Sequence, residues 1–173
     1  MPALPLRITL SVPSRTVKSG EAVQISVSVT NTSDSPIWML GVLDGSEPGY
    51  RYPHYKPHID GPESASLGDG PFWDGTIVPL RVEDFRQLAP GQSFDPTNPQ
   101  NGAGYQPLYL FSRFAPQTPG QYTIGLTLST ENDSDEAWGV IPVDYPGKRE
   151  IVERLAQVPR GSVEAEPLTI EVA

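Results

Sequence analysis

The sequence predicts an all-β fold, an antiparallel β-sandwich of seven to nine strands with one short helix before the last strand. Three observations carry that prediction. Apolar residues recur at every second position in several runs, the period of a half-buried strand. The 173 residues include 20 prolines and 16 glycines, about a fifth of the chain, against ~12% in ordinary proteins. Those residues cost about 3 and about 1 kcal/mol in helix interiors, which disfavours long helices. No run approaches the ~20 apolar residues that a membrane-crossing helix needs. The 37% hydrophobic content arrives in ordered runs, which argues against global disorder. Residues 1–173 therefore read as a single domain.

The first strand is signalled by Leu6, Ile8, Leu10 and Val12, with Arg7, Thr9 and Ser11 between them. After a turn at Lys18–Glu21, Val23, Ile25, Val27 and Val29 alternate with Gln24, Ser26, Ser28 and Thr30. The stretch 31–36 is a turn, where Asx and Ser side chains bond their own backbone. Ile37 to Leu43 is almost wholly apolar, the pattern of a central strand covered on both sides, and Trp38 is expected in the core. Further strands are expected at Thr76–Val82, Leu108–Phe114, Gln121–Thr130 and Leu168–Val172. Pro79 makes the first of these an edge strand or a bulge. Ile151, Val152, Leu155 and Ala156 share one face of a predicted helix over Lys148–Val158, flanked by the i,i+4 pair Glu150 and Arg154. Pro159 ends it. No repeat or low-complexity tract interrupts the chain.

Two loops are long: 44–75, which holds both histidines, and 95–107. Loops of that length in a compact domain tend to be functional, and the rings in the first predict that it is ordered.

Charge narrows the partners. Twelve Lys+Arg against 21 Asp+Glu leave a net charge of −9, without the clustered basic face that nucleic acid requires. Anionic membrane surfaces are disfavoured in the same way. With no cysteine, a disulfide framework, a thiolate metal site and a Cys nucleophile are all excluded. Met1–Leu6 has neither a basic n-region nor an apolar core, so no signal peptide is expected here. The default compartment is then the cytoplasm, or the exterior if a leader has been removed.

Three segments carry a resemblance: Val17–Ser33 (VKSGEAVQISVSVTNTS), Leu88–Phe94 (LAPGQSF) and Pro119–Leu128 (PGQYTIGLTL). Together they resemble bacterial immunoglobulin-like domains of the intracellular proteinase inhibitor type. They are also similar to the β-sandwich domain that precedes the catalytic part of fungal peptidyl-Lys metalloendopeptidases. The resemblance implies an immunoglobulin-like sandwich, with a protease-inhibitor-like role as one functional expectation. Pro119 to Tyr122 looks like a tyrosine corner, whose hydroxyl bonds nearby backbone.

Three groups of side chains are candidates for a site. Tyr50, Tyr52, Tyr55, Phe72, Trp73 and Tyr105 crowd the long loops. Such rings either form a contact surface for protein or carbohydrate or pack on each other to order the loops. His54 and His58 have the i,i+4 spacing of a zincin helix. Tyr55 stands where that motif has its Glu, and Pro53 and Pro57 prevent a regular helix, so metalloprotease chemistry is excluded. A loop zinc site of His54, His58 and Asp60 stays a candidate, beside two ordinary loop histidines. Glu131, Asp133, Asp135 and Glu136 offer oxygens for calcium, although the Gly and spaced Glu of an EF-hand are missing. The plainer alternative is a solvated acidic turn, with Trp138 covering its base.

No Gly-x-Ser-x-Gly elbow and no Gly-x-x-x-x-Gly-Lys loop is present, and no cofactor is called for beyond those two metals. The expectation is a non-catalytic binding module that uses the 44–75 loop, helped by 95–107, to bind protein. Carbohydrate binding is one alternative. A structural subunit of a larger assembly, with edge strands pairing to neighbours, is another.

Overall fold

The computed structural model describes residues 2–63, 75–101 and 104–173. They form ten strands: β1 (Leu6–Ser11), β2 (Thr16–Val17), β3 (Ser26–Asn31), β4 (Ile37–Leu40), β5 (His54–Asp60), β6 (Phe85–Leu88), β7 (Ser93–Phe94), β8 (Gly120–Ser129), β9 (Ser162–Glu164) and β10 (Leu168–Val172). Two short helices, α1 (Tyr109–Ser112) and α2 (Lys148–Leu155), and two 3₁₀ turns, Val82–Asp84 and Asp135–Trp138, complete the described chain. The fold is all-β, as the alternation predicts.

The strands form three sheets, in the orders β1-β3-β7, β2-β10-β8-β5 with β9 also beside β8, and β4-β6. Most pairings are antiparallel, but β2 runs parallel to β10, with Thr16 opposite Glu171. Alternation sets which faces are buried. Ile8, Val27 and Val29 of the first sheet belong to the same apolar cluster as Tyr122, Ile124, Leu126 and Leu128 of β8 and Leu168, Ile170 and Val172 of β10. Burying each such side chain contributes about 1.5–3 kcal/mol. The Tyr122 hydroxyl donates to Thr118 O at 2.8 Å, the backbone contact expected of that position.

Several expectations fail for physical reasons. His54–Asp60 is a strand, not loop, and it pairs with β8 along its whole length, from His54 opposite Ser129 to Asp60 opposite Thr123. Pro57 hides it from a sequence reading, because proline does not donate to a ladder. It is tolerated here because β5 lies at the sheet's edge. Conversely, Thr76–Val82 forms no strand, and Val82 opens a 3₁₀ turn. Leu108–Phe114 is a helical turn, because Ser112 N–H donates to Leu108 O and Arg113 N–H to Tyr109 O.

The apolar run from Ile37 sits in the two-stranded β4-β6 sheet rather than at the centre of a large one. Trp38 is half-buried there, under the Arg154 guanidinium at 4.4 Å from its ring centre. Helix α2 forms where expected. It precedes two strands rather than one, because β9 and β10 follow it.

Candidate functional site

The loop 44–53 is built around a buried cation. Asp44 and Gly45 begin a tight turn in which the Ser46 hydroxyl accepts the Leu43 N–H, and Tyr50 N–H returns to Gly45 O. The turn points Arg51 inward, where only 1% of it is exposed. Arg51 Nη1 donates to Asp44 Oδ1 at 2.9 Å and to Val78 O at 2.7 Å, and Nη2 donates to Trp138 O at 2.8 Å. Asp44 Oδ2 accepts the Val78 N–H at 2.6 Å. Burial lowers the Arg51 pKa, and the Asp44 and Asp84 charges oppose that shift. A guanidinium stays charged in such a setting. Gly139 completes the pocket: its φ of +92° suits glycine, and a Cβ there would lie 2.5 Å from Arg51 Nη2.

One guanidinium therefore stitches together three segments, 44–53, 75–82 and 135–145. These segments carry Tyr50, Val78 and Val143, which are the exposed large hydrophobic side chains of the described residues. Tyr145, two residues after Val143, lies close enough to Arg51 for the charge to oppose the upward shift of its pKa by burial.

The aromatic candidates separate. Tyr55 and Tyr105 are core residues, not contact residues: Tyr55 donates its hydroxyl to Leu40 O and Tyr105 to Asp84 O. Their inward phase on β5 and against the 3₁₀ turn removes them from any ligand. Tyr52 is half-buried, stacked on His54 at 3.7 Å between ring centres. Tyr50 alone of the described four is exposed. Phe72 and Trp73 lie outside the described residues.

The zinc expectation does not survive the strand. His54, Lys56, His58 and Asp60 share one face of β5, but an extended chain puts i and i+4 about 13 Å apart. A single ion cannot bridge that span with ligands at about 2 Å. The His58 ring lies across Gly125 of β8, where a Cβ would collide with it. Burial, then the Lys56 charge, lowers the His54 pKa.

The acidic turn of Glu131, Asp133, Asp135 and Glu136 wraps Trp138, whose Nε1 donates to Asn132 O at 2.7 Å. Its Asp133 pairs with Arg160 at 3.4 Å. Among the described residues no three His, Cys, Asp or Glu side chains could hold a metal ion. Trp138 covers that turn as expected, although it is fully buried.

No family model, curated protein or solved structure matches the chain. The site is thus described by its own chemistry.

Glu47, which the sequence does not single out, adds a titrating group to this end. Glu47 is 8% exposed, and its carboxyl accepts the N–H groups of Tyr109 at 2.6 Å and Leu110 at 2.9 Å, so it caps α1 from 62 residues away. Burial pushes its pKa up to about 7, against the pull of the Leu110 N–H. The unfolded chain gives up this proton near the ordinary value of about 4.3. Between those pH values the folded state binds the extra proton, so this group's contribution to stability falls as pH rises. The Tm of the wild type relative to Glu47→Gln is therefore expected to drop from pH 5 to pH 8. Calorimetry of both proteins checks it, and a pH-independent difference would show that Glu47 titrates normally.

Proposed function

We propose that this chain is a non-catalytic, immunoglobulin-like β-sandwich that binds a protein through the Tyr50–Val78–Val143 surface. Strand connectivity supports the architecture. In chain order, β1, β3 and β7 correspond to strands A, B and E of such a sandwich, and β5, β8 and β10 correspond to C, F and G. The Tyr122–Thr118 hydrogen bond fits the tyrosine corner of strand F.

The observation that carries the function is that the exposed large hydrophobic side chains of the described residues lie on three segments tied to one buried arginine. Scattered single residues of this kind are ordinary, whereas a group on a braced surface marks an interaction site. A fixed backbone also lowers the ordering cost of binding. Protein is favoured over carbohydrate because, among the described aromatic candidates, Tyr55 and Tyr105 are buried and only Tyr50 is exposed. A protease is the first partner class to try, in keeping with the inhibitor-like segments of the sequence.

The test compares the wild type with the triple variant Tyr50→Ser, Val78→Ser, Val143→Ser against a protease panel and a glycan array. With each apolar contact worth about 1 kcal/mol or more, binding of a protease is expected to weaken roughly 100-fold. Glycan binding lost in the variant would move the site to carbohydrate. Protease binding unchanged by the variant would remove this surface from the function.

A further inference from the structure

A groove of about 490 Å³ separates β1 from the β9–β10 connection, and the path of the chain explains why it is open. Residues 2–4 run along β9: Leu4 N–H donates to Ser162 O, and Ser162 N–H donates to Pro2 O. Residues 15–17 run along β10: Glu171 N–H donates to Arg15 O, and Ala173 N–H to Val17 O. Between these attachments the chain leaves that sheet, and β1 pairs with β3 instead.

Neighbouring contacts fix which way the β1 backbone faces. Thr32 N–H donates to Pro5 O, while Asn31 N–H turns the other way, to Gln92 O. Alternate residues of an antiparallel strand bond to the same side, so Pro5, Arg7 and Thr9 face β3. Leu6, Ile8 and Leu10 then turn their N–H and C=O groups into the groove, at a repeat of about 6.8 Å. On the far wall, Ala165 N–H bonds to Leu126 O of β8, and the same alternation leaves the Glu164 main chain facing the groove.

Donors and acceptors repeating at that spacing are matched by another extended backbone. Charge restricts the occupant further. Arg7, Arg15, Glu164 and Glu166 all line the groove, and none of the four joins an ion pair among the described residues. Both signs of charge are kept for an incoming segment. The volume lies within the range of about 300–1,000 Å³ usual for ligand sites.

We propose that this groove accepts an extended segment of another protein, about five residues long. Its alternate apolar side chains meet Leu6, Ile8 and Leu10, and its outward side chains carry both charge signs. The site is separate from Tyr50, Val78 and Val143 and does not rest on their role.

The probe is the capped heptapeptide Glu-Val-Lys-Val-Glu-Val-Lys, with a control that carries proline at its centre. Amide exchange followed by NMR reads the register directly. In the free chain the Ile8 and Leu10 amides are expected to exchange fast and those of Arg7 and Thr9 slowly. Millimolar heptapeptide is expected to slow Ile8 and Leu10 at least about tenfold, the proline control to leave them fast, and Arg15→Glu to weaken the effect. The triple variant at Tyr50, Val78 and Val143 keeps this protection, which separates the two sites. Slow Ile8 and Leu10 amides in the free monomer, or fast ones with the heptapeptide present, would overturn the proposal. Protection that rises with protein concentration alone, with a dimer mass in light scattering, would also overturn it by assigning the groove to a second copy of the chain.

Discussion

Arg51→Met is expected to lower the free energy of unfolding by about 3–5 kcal/mol, the range for removing one member of a buried ion pair. Methionine fills much of the volume but bonds to nothing. It leaves the carbonyls of Val78 and Trp138 without their donor and Asp44 without its cation. Each orphaned group carries its own desolvation cost. Asp44 is 19% exposed and Val78 53% exposed, so water recovers part of the loss at both, but the buried Trp138 carbonyl depends on the guanidinium. Urea unfolding measures the change. Adding Asp44→Asn to Arg51→Met is expected to recover some stability, because the second variant lacks the uncompensated charge. A loss below about 1 kcal/mol, within the range of an exposed pair, would mean that the guanidinium is not desolvated.

Trp138→Ala is expected to cost a comparable 3–5 kcal/mol, through loss of transfer energy and a residual cavity. Trp138 is fully buried, and its ring carries the Arg160 guanidinium at 4.7 Å from its centre. Its Nε1 also holds the acidic turn through Asn132 O. The same residue's carbonyl receives Arg51, so the two substitutions act on one connected unit. Their combined cost should fall short of the sum of the separate costs, as for residues that share partners. Calorimetry on both single variants and the double variant measures that shortfall. Strict additivity would show that the acidic turn and the Arg51 contacts are independent.

Much of the sheet structure was legible in the sequence because period-two burial is a local signal. Leu168–Val172 and Gln121–Thr130 match strands to within a residue, and α2 starts at its predicted Lys148. The failures share a physical cause. β5 has the alternation of a strand, with Tyr55 and Ile59 inward, but Pro57 disguises it, and only its place at an edge makes that proline acceptable. Helix α1 has no capping side chain of its own, and its cap, Glu47, comes from a distant loop. No local pattern reveals that.

The site was legible in place but not in composition. The segment rich in proline, glycine and aromatics does hold the loop 44–53, yet its organising residue is an arginine. Nothing near Arg51 in sequence distinguishes it from an exposed one. Val78 and Val143 are single valines in irregular segments, and their exposure is visible only in the folded chain.

The parallel pairing of β2 with β10 has a consequence for how the molecule is made. Thr16 and Glu171 are partners about 155 residues apart in sequence. At ribosomal rates of ~5–20 residues per second, roughly 10–30 s separate the appearance of one from the other. β8 is complete only at Ser129, and over the roughly 40 residues that then precede β10 it has β5 on one side while the side that β10 will cover stays bare. The nascent protein therefore carries an exposed strand edge until nearly all 173 residues are out, and a chaperone or a stalled ribosome meets it in that half-closed form.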